Sequence, residues 1–222
     1  MSVVFVPGLG LGPESSEPVR RCLDQPSEVI SLPGYGLPSR RGDDFRPEAL
    51  GAVVARELDA RGITSAVLVG HSASCQIVVE TALARPDLVA GLVLIGPIGD
   101  PGASAFWRLA ERWVRSAVHE PARLVPTLRR QYVRTGPAAM IRGLRAAQRH
   151  DLSRRLEPLA IPVAVLRGKY DRIAPTSWIN RVAELAHGAP RTLPSGSHLP
   201  VLTSGPEIAT TIHGVTSAGS QR

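Results

Sequence analysis

Gly70-His71-Ser72-Ala73-Ser74, which follows the apolar run Ala66-Val67-Leu68-Val69 and precedes Cys75-Gln76-Ile77-Val78-Val79-Glu80-Thr81-Ala82-Leu83-Ala84, is the stretch whose reading decides the fold. A short, uninterrupted, β-branched apolar run reads as a buried strand, and the segment after it has helical apolar spacing that stops before Pro86. The turn between them carries a serine two residues after a glycine. A serine hydroxyl is a weak nucleophile, and it reacts when a sharp strand-to-helix turn exposes its oxygen beside a base and oxyanion donors. Gly70 would allow the close approach such a turn needs, and Ser72 would attack. The fifth position, where glycine is usual in this pattern, holds Ser74, a small variant that the turn is expected to tolerate. The bland alternative is a strand followed by a capped helix, with Ser72 or Ser74 accepting from a backbone N–H.

Partners for such a serine occur later in the chain, in the order Ser, Asp, His. After the apolar run Pro162-Val163-Ala164-Val165-Leu166, the loop Arg167-Gly168-Lys169-Tyr170-Asp171-Arg172-Ile173-Ala174-Pro175 presents Asp171, a carboxylate suited to orienting an imidazole. After the short strand Arg191-Thr192-Leu193, the loop Pro194-Ser195-Gly196-Ser197-His198-Leu199-Pro200 presents His198, the candidate general base. Asp100, in Gly96-Pro97-Ile98-Gly99-Asp100, competes with Asp171 for the acid's place, and the fuller match of the 168–175 segment to an acid loop favours Asp171.

With Val6-Pro7-Gly8-Leu9-Gly10 after the first strand and Leu32-Pro33-Gly34-Tyr35-Gly36-Leu37-Pro38-Ser39 after the second, these pieces resemble the α/β-hydrolase superfamily from Val3 to about Pro206. The resemblance implies Ser72 as nucleophile, His198 as base and later acid, and Asp171 as the residue that fixes the imidazole tautomer and its charge. It places the oxyanion hole at the backbone N–H groups of Leu9 and Ala73. Many relatives carry His-Gly where this chain has Pro7-Gly8, a change that bears on loop rigidity more than on the donor after it. It also implies a helical lid after the strand ending near Ile95, over residues 97–159, inside one domain spanning 1–222. Helical spacing there runs through Phe106, Leu109, Ala110, Trp113 and Val114, then Leu124, Leu128 and Tyr132, then Met140, Ile141, Leu144 and Ala147, so three or four amphipathic helices are expected. Trp107, Trp113 and Tyr132 are candidates for lining a substrate pocket, the alternative being that they only join lid helices. The fold class expected is α/β: a mostly parallel central sheet with strands near 3–6, 28–32, 66–69, 92–95, 162–166 and 191–193, helices on both faces, and without the antiparallel strand pair that precedes the first of these in the family. The clearest crossover helix spans 47–61, with Leu50, Val53, Val54 and Leu58 on one face, and the tail from 214 to 222 reads as loose.

Composition bounds the rest. A chain of 222 residues with no repeat or long linker suits one catalytic domain. No leader pattern and no membrane-length apolar run is present, so a cytoplasmic protein without a membrane partner is expected. Cys22 and Cys75 fall in different elements, which argues against a disulfide, and Cys75 is expected to pack behind the turn. The net charge of +7 comes with a single lysine, Lys169, and a concentration of arginines in 97–159: Arg108, Arg112, Arg115, Arg123, Arg129, Arg130, Arg134, Arg142, Arg145, Arg149, Arg154 and Arg155. Arginine's fork fits carboxylate and phosphate, so an acidic acyl substrate is one reading; solvated helix faces in an arginine-biased chain is the other, and the better supported. Interleaving with apolar positions and the lack of a reader motif exclude nucleic acid as the expected partner. The six histidines show no metal-ligand spacing, so no metal is expected; His71 is expected to shape the turn, and His119, His150, His187 and His213 show no partner. No Gly-Lys-Ser/Thr or G-x-G-x-x-G follows the glycines after the first strand, so no nucleotide cofactor is expected, nor any other cofactor. Oligomeric state stays open, a homodimer included.

The activity this predicts is cofactor-free hydrolysis of a small or medium carboxylic ester or thioester through an acyl-enzyme. The runner-up is C–C bond hydrolysis of a dienoate or diketone acid held by a lid arginine. A reading of another class is a lyase, a cyclase or a ligand receptor on the same fold.

Overall fold

The computed structural model describes residues 1–220, the side chain of Phe106 excepted. In chain order it contains β1 (Ser2–Val6), the short helix α1 (Glu17–Arg20), β2 (Ser27–Val29), the small pair β3 (Leu32–Pro33) and β4 (Gly36–Leu37), α2 (Pro47–Ala60), β5 (Ala66–His71), α3 (Ser74–Ala84) and β6 (Val89–Ile95). There follow α4 (Phe106–Ala117), α5 (Val125–Thr135), α6 (Pro137–Arg149), α7 (Leu152–Leu156), β7 (Val163–Arg167), α8 (Thr176–Leu185), β8 (Ala189–Thr192) and α9 (Gly205–Gly219).

Six of the strands form one sheet in the order β2-β1-β5-β6-β7-β8, and all five pairings are parallel. A parallel strand buried on both faces must be apolar along its whole length, because successive side chains point to opposite sides. β1 and β5 obey this: Val4, Val6 and Leu68 pack with α2, α3 and α8 through Leu50, Val54, Ile77, Val78 and Trp178. Val3, Phe5, Val67 and Val69 pack on the other face with α9 through Ile208, Ala209, Ile212 and Val215, and with Val19 of α1.

Two expected boundaries differ. The second strand ends at Val29 rather than continuing to residue 32, because Leu32-Pro33 turns out of the sheet to pair with Gly36-Leu37. Pro33 has no N–H to give a ladder, and Gly34 and Gly36 take positive φ of 78° and 103° in that turn. The expected loose tail is instead helical as far as Gly219, since Val215 is buried against the sheet and Gly219 packs on Ala90; only residues 221–222 of that expectation lie outside the described residues.

From β1 the chain steps to β2 on one side and then to β5 on the other, so the sheet's switch point lies between β1 and β5. In open parallel sheets, ligands bind outside the carboxyl ends of the strands at such a point. The loop after β1 and the turn after β5 both emerge there. Between β6 and β7 stand α4 to α7, where the sequence predicts three or four helices. α6 anchors this insertion: Gln76 of α3 donates to the Ala147 carbonyl at 3.0 Å, and Gly143 lies so close to Leu9 that an added Cβ would come within 2.6 Å of its side chain. Among the described residues no helix is long and apolar enough to cross a membrane.

Candidate active site

The turn after β5 forces Ser72 into a positive φ of 57°, which is costly for a residue with a Cβ. Neighbouring bonds hold it there. The Ser72 N–H donates to the Ile95 carbonyl at 2.8 Å, and Gly70 is tight enough that a Cβ would lie 2.9 Å from the Cα of Cys75. Ser74, fully buried, is a tether rather than only a small filler: its hydroxyl accepts from the His71 N–H at 2.8 Å and lies 2.7 Å from the Val6 carbonyl at the end of β1. Cys75 packs behind the turn as expected, and burial pushes its thiol pKa up.

Three side chains from three loops meet at this turn. His198 Nε2 is 2.8 Å from Ser72 Oγ, and His198 Nδ1 is 2.9 Å from Asp171 Oδ2. A carboxylate only accepts, so Nδ1 carries the proton and the Nε2 lone pair faces the serine hydroxyl. The other oxygen of Asp171 accepts from the Ile173 and Ala174 N–H groups at 2.9 and 3.0 Å. Burial alone would raise the Asp171 pKa, but the charge and hydrogen bond of His198, the Ala174 N–H and the Arg167 charge outweigh it and bring it below the ordinary value. Burial likewise pulls His198 down, while the charge and hydrogen bond of Asp171 and the charge of Glu120 lift it above its ordinary value. Asp100 is committed elsewhere: it caps Gly102 N–H at 2.9 Å and pairs with Arg112.

Leu9 and Ala73 line the same cavity as Ser72 and His198, a space of about 340 Å³ whose walls include Ile98, Leu109, Met140 and Leu144. Trp113 and Tyr132 line it too. Trp107 is not brought to it. That side chain is 63% exposed with the Arg108 guanidinium over its ring, because a helix presents adjacent positions about 100° apart and α4 turns Leu109 inward instead. Among the described residues, none that lines this cavity is an arginine. Several insertion arginines are engaged elsewhere: Arg155 with Glu80, Arg130 with Glu14, and Arg142 with the carbonyls of Arg40 and Arg41.

Some residues here carried no sequence signal. Ser116, at the end of α4, accepts from the Arg172 N–H at its Oγ (2.9 Å) and from the Ser197 hydroxyl at its carbonyl (2.8 Å). Glu120 Oε1 accepts from the Leu199 N–H at 2.8 Å. The insertion thus grips one neighbour of Asp171, Arg172, and both neighbours of His198. Arg167, which the sequence reading places in the loop, ends β7 as a buried cation: its guanidinium holds the Asp171 and Ala174 carbonyls and so shapes the loop that carries Asp171. His71 donates from Nε2 to the His198 carbonyl at 2.7 Å, and burial with the nearby His198 charge lowers its pKa to about 4, so it is a neutral brace. Two histidines without an expected partner have one: His119 stacks on Tyr170, and His150 lies 2.7 Å from Glu80.

Among the described residues, Glu48, Glu80 and His150 bring ligand-type atoms within 4.8 Å of one another. The Arg155 fork already holds both oxygens of Glu80 at 2.7 Å, which supplies the positive charge this cluster needs.

A sequence profile described as the alpha/beta hydrolase family matches residues 3–211. The putative carbamate hydrolase RutD of Klebsiella pneumoniae (strain 342) is 25% identical over 223 aligned residues, covering 88% of this chain and 84% of that protein. The backbone is similar to that of a hydrolase from Oleispira antarctica, with a TM-score of 0.82, 17% identity and coverage of 97% and 90%. It is also similar to a thermophilic esterase from Thermogutta terrifontis, with a TM-score of 0.81, 21% identity and coverage of 99% and 90%.

Proposed function

The chain belongs to the alpha/beta hydrolase family, and on that premise we propose that it is a cofactor-free serine hydrolase that cleaves a small or medium carboxylic ester through an acyl-enzyme. The observation that carries the reading is the unbroken chain of contacts from Ser72 Oγ through His198 to Asp171, at 2.8 and 2.9 Å, set at a strained turn beside an apolar cavity.

In this mechanism Ser72 Oγ attacks the carbonyl carbon while its proton passes to His198 Nε2, and Asp171 steadies the imidazolium that forms. The carbonyl oxygen takes negative charge and is met by the N–H groups of Leu9 and Ala73, which are fixed before the reaction starts. Collapse breaks the bond to the leaving oxygen, which takes the proton from Nε2 and departs as the alcohol. Water then adds to the acyl-enzyme with His198 as base, and the carboxylic acid leaves with Ser72 restored. The insertion over 97–159 acts as a lid, its Leu109, Met140 and Leu144 excluding water from the acyl group. A thioester uses the same parts. The apolar lining around Ser72 favours an uncharged acyl group over the dienoate acid of the C–C hydrolase reading, which needs a cation beside the acyl chain.

A fluorophosphonate probe tests this without knowledge of the natural substrate. Covalent labelling of the Ser72 peptide by mass spectrometry, lost in Ser72→Ala and in His198→Ala, is the expected result. A folded wild-type protein that resists the probe would direct attention to the lyase, cyclase or receptor readings.

A further inference from the structure

A second cavity of about 450 Å³ adjoins the first and shares Trp113, Tyr132, His198 and Leu199 with it. Its remaining walls come from the insertion and include Ser116, Glu120, Leu128 and Arg129, whereas Ser72, Leu9 and Ala73 line the first cavity alone. We propose that this second cavity receives the leaving group, and that Glu120 selects leaving groups that carry a hydrogen-bond donor, an ammonium or a hydroxyl. The inference rests on the serine-hydrolase reading and adds the class of alcohol that the site takes.

Two observations place the leaving group there. The acyl carbon must sit at Ser72 Oγ with its oxygen toward Leu9 and Ala73, so the acyl chain occupies the first cavity. The departing oxygen must then collect its proton from His198 Nε2, and His198 lines the second cavity as well as the first. What lies beyond that oxygen enters the space that Glu120 helps to line. One oxygen of this carboxyl is taken by the Leu199 N–H, while Oε2 is buried and, among the described residues, has no hydrogen-bond partner. A buried acceptor left unpaired is costly, and a donor on the substrate would satisfy it. Burial, the largest influence on Glu120, raises its pKa, as expected for a carboxyl held in a largely apolar space. An alcohol with only an alkyl chain leaves Oε2 unpaired and is disfavoured for that reason, which is how a site built to bond a polar group rejects the analogue that lacks it.

The test holds the acyl group constant as butyrate and varies the alcohol among 2-ammonioethyl, 2-hydroxyethyl and n-propyl, in wild type and in Glu120→Gln. The glutamine keeps an oxygen for the Leu199 N–H and replaces the second acceptor with a donor. A single hydrogen bond to a charged group predicts that wild type prefers the ammonioethyl ester over the propyl ester by about tenfold or more in kcat/KM. In Glu120→Gln that ratio should fall toward unity, and the hydroxyethyl ester shows whether charge or donation alone is read. An unchanged ratio in Glu120→Gln, with turnover that still requires Ser72, overturns the leaving-group assignment and leaves the hydrolase reading intact. A Glu120→Gln variant that instead alters the preference among acetate, butyrate and hexanoate esters of one alcohol assigns this cavity to the acyl chain. Turnover that survives Ser72→Ala removes the underlying reading itself.

Discussion

Replacing Ser74 by alanine should destabilise the protein far more than loss of one small side chain suggests. The hydroxyl is fully buried, accepts from the His71 N–H at 2.8 Å and faces the Val6 and His71 carbonyls at 2.7 and 2.9 Å. With one proton it donates to one carbonyl at a time, so two hydrogen bonds are at stake. Each contributes about 1 kcal/mol net, and a buried group left unpaired costs about 1–3 kcal/mol. The sum centres at about 4 kcal/mol, and a chain of this size loses about 2–4 °C in Tm per kcal/mol, so a fall of about 8–16 °C is expected. Calorimetry and urea unfolding of Ser74→Ala give the stability, and the rate of fluorophosphonate labelling at Ser72 reports whether the turn has loosened. Glycine, the usual residue in this pattern, should cost at least as much because it adds backbone freedom. A Ser74→Ala protein within about 0.5 kcal/mol of wild type, the ordinary range for a neutral surface substitution, would refute the tether.

Three further outcomes follow from the same geometry. Asp171→Asn should lower kcat by about 10⁴-fold through loss of tautomer control, while Asp100→Asn should leave it nearly intact; steady-state kinetics on one ester separates the two carboxylates. His71, buried with its pKa lowered from 6.5 to about 4, binds fewer protons folded than unfolded between those values. Its contribution is therefore complete above about pH 6.5 and is lost as pH falls toward about 4, a change of about 3 kcal/mol; urea midpoints across that window should show the slope in wild type and a flatter one in His71→Gln. Ser116→Ala removes the hydroxyl that accepts from the Arg172 N–H, and should lower kcat about fivefold, the equivalent of about 1 kcal/mol, with KM little changed. An effect on KM alone would assign Ser116 to substrate contact instead.

How much of this was legible in the sequence depends on how local the signal is. The strands β1, β5, β6 and β7 and the helices α2 and α3 declare themselves through runs of Val, Leu and Ile or through 3.6-residue spacing, because burial on one or both faces dictates composition along the element itself. The meeting of Ser72, Asp171 and His198 was legible because each stands in a loop after a recognisable strand, and parallel strands deliver such loops to one edge of the sheet. Side-chain direction within an amphipathic helix was less legible. Trp107 and Trp113 both read as pocket candidates, yet the first faces solvent and the second lines both cavities, since six residues on a helix do not return to the same face.

The residues that escaped entirely share a physical reason. Ser116, Glu120, Glu80 and His150 act through hydrogen bonds to partners 56 to 81 residues away in sequence, and nothing in local composition marks which polar side chain will be buried against which loop. Glu80 illustrates the point. It lies on α3 among apolar residues and looks like a solvated position, but His150 and the Arg155 fork bond it so well that, although burial opposes this, its pKa falls to about 2. That pairing ties α3, the helix that follows the serine turn, to the end of the insertion. Ser116 and Glu120 tie the start of the same insertion to the loops of Asp171 and His198. The helices over the site are therefore bonded both to the turn's helix and to the loops that present Asp171 and His198, so their position and the geometry of the three side chains are set together. A substitution in the insertion that touches neither cavity is accordingly expected to reach kcat through these bonds.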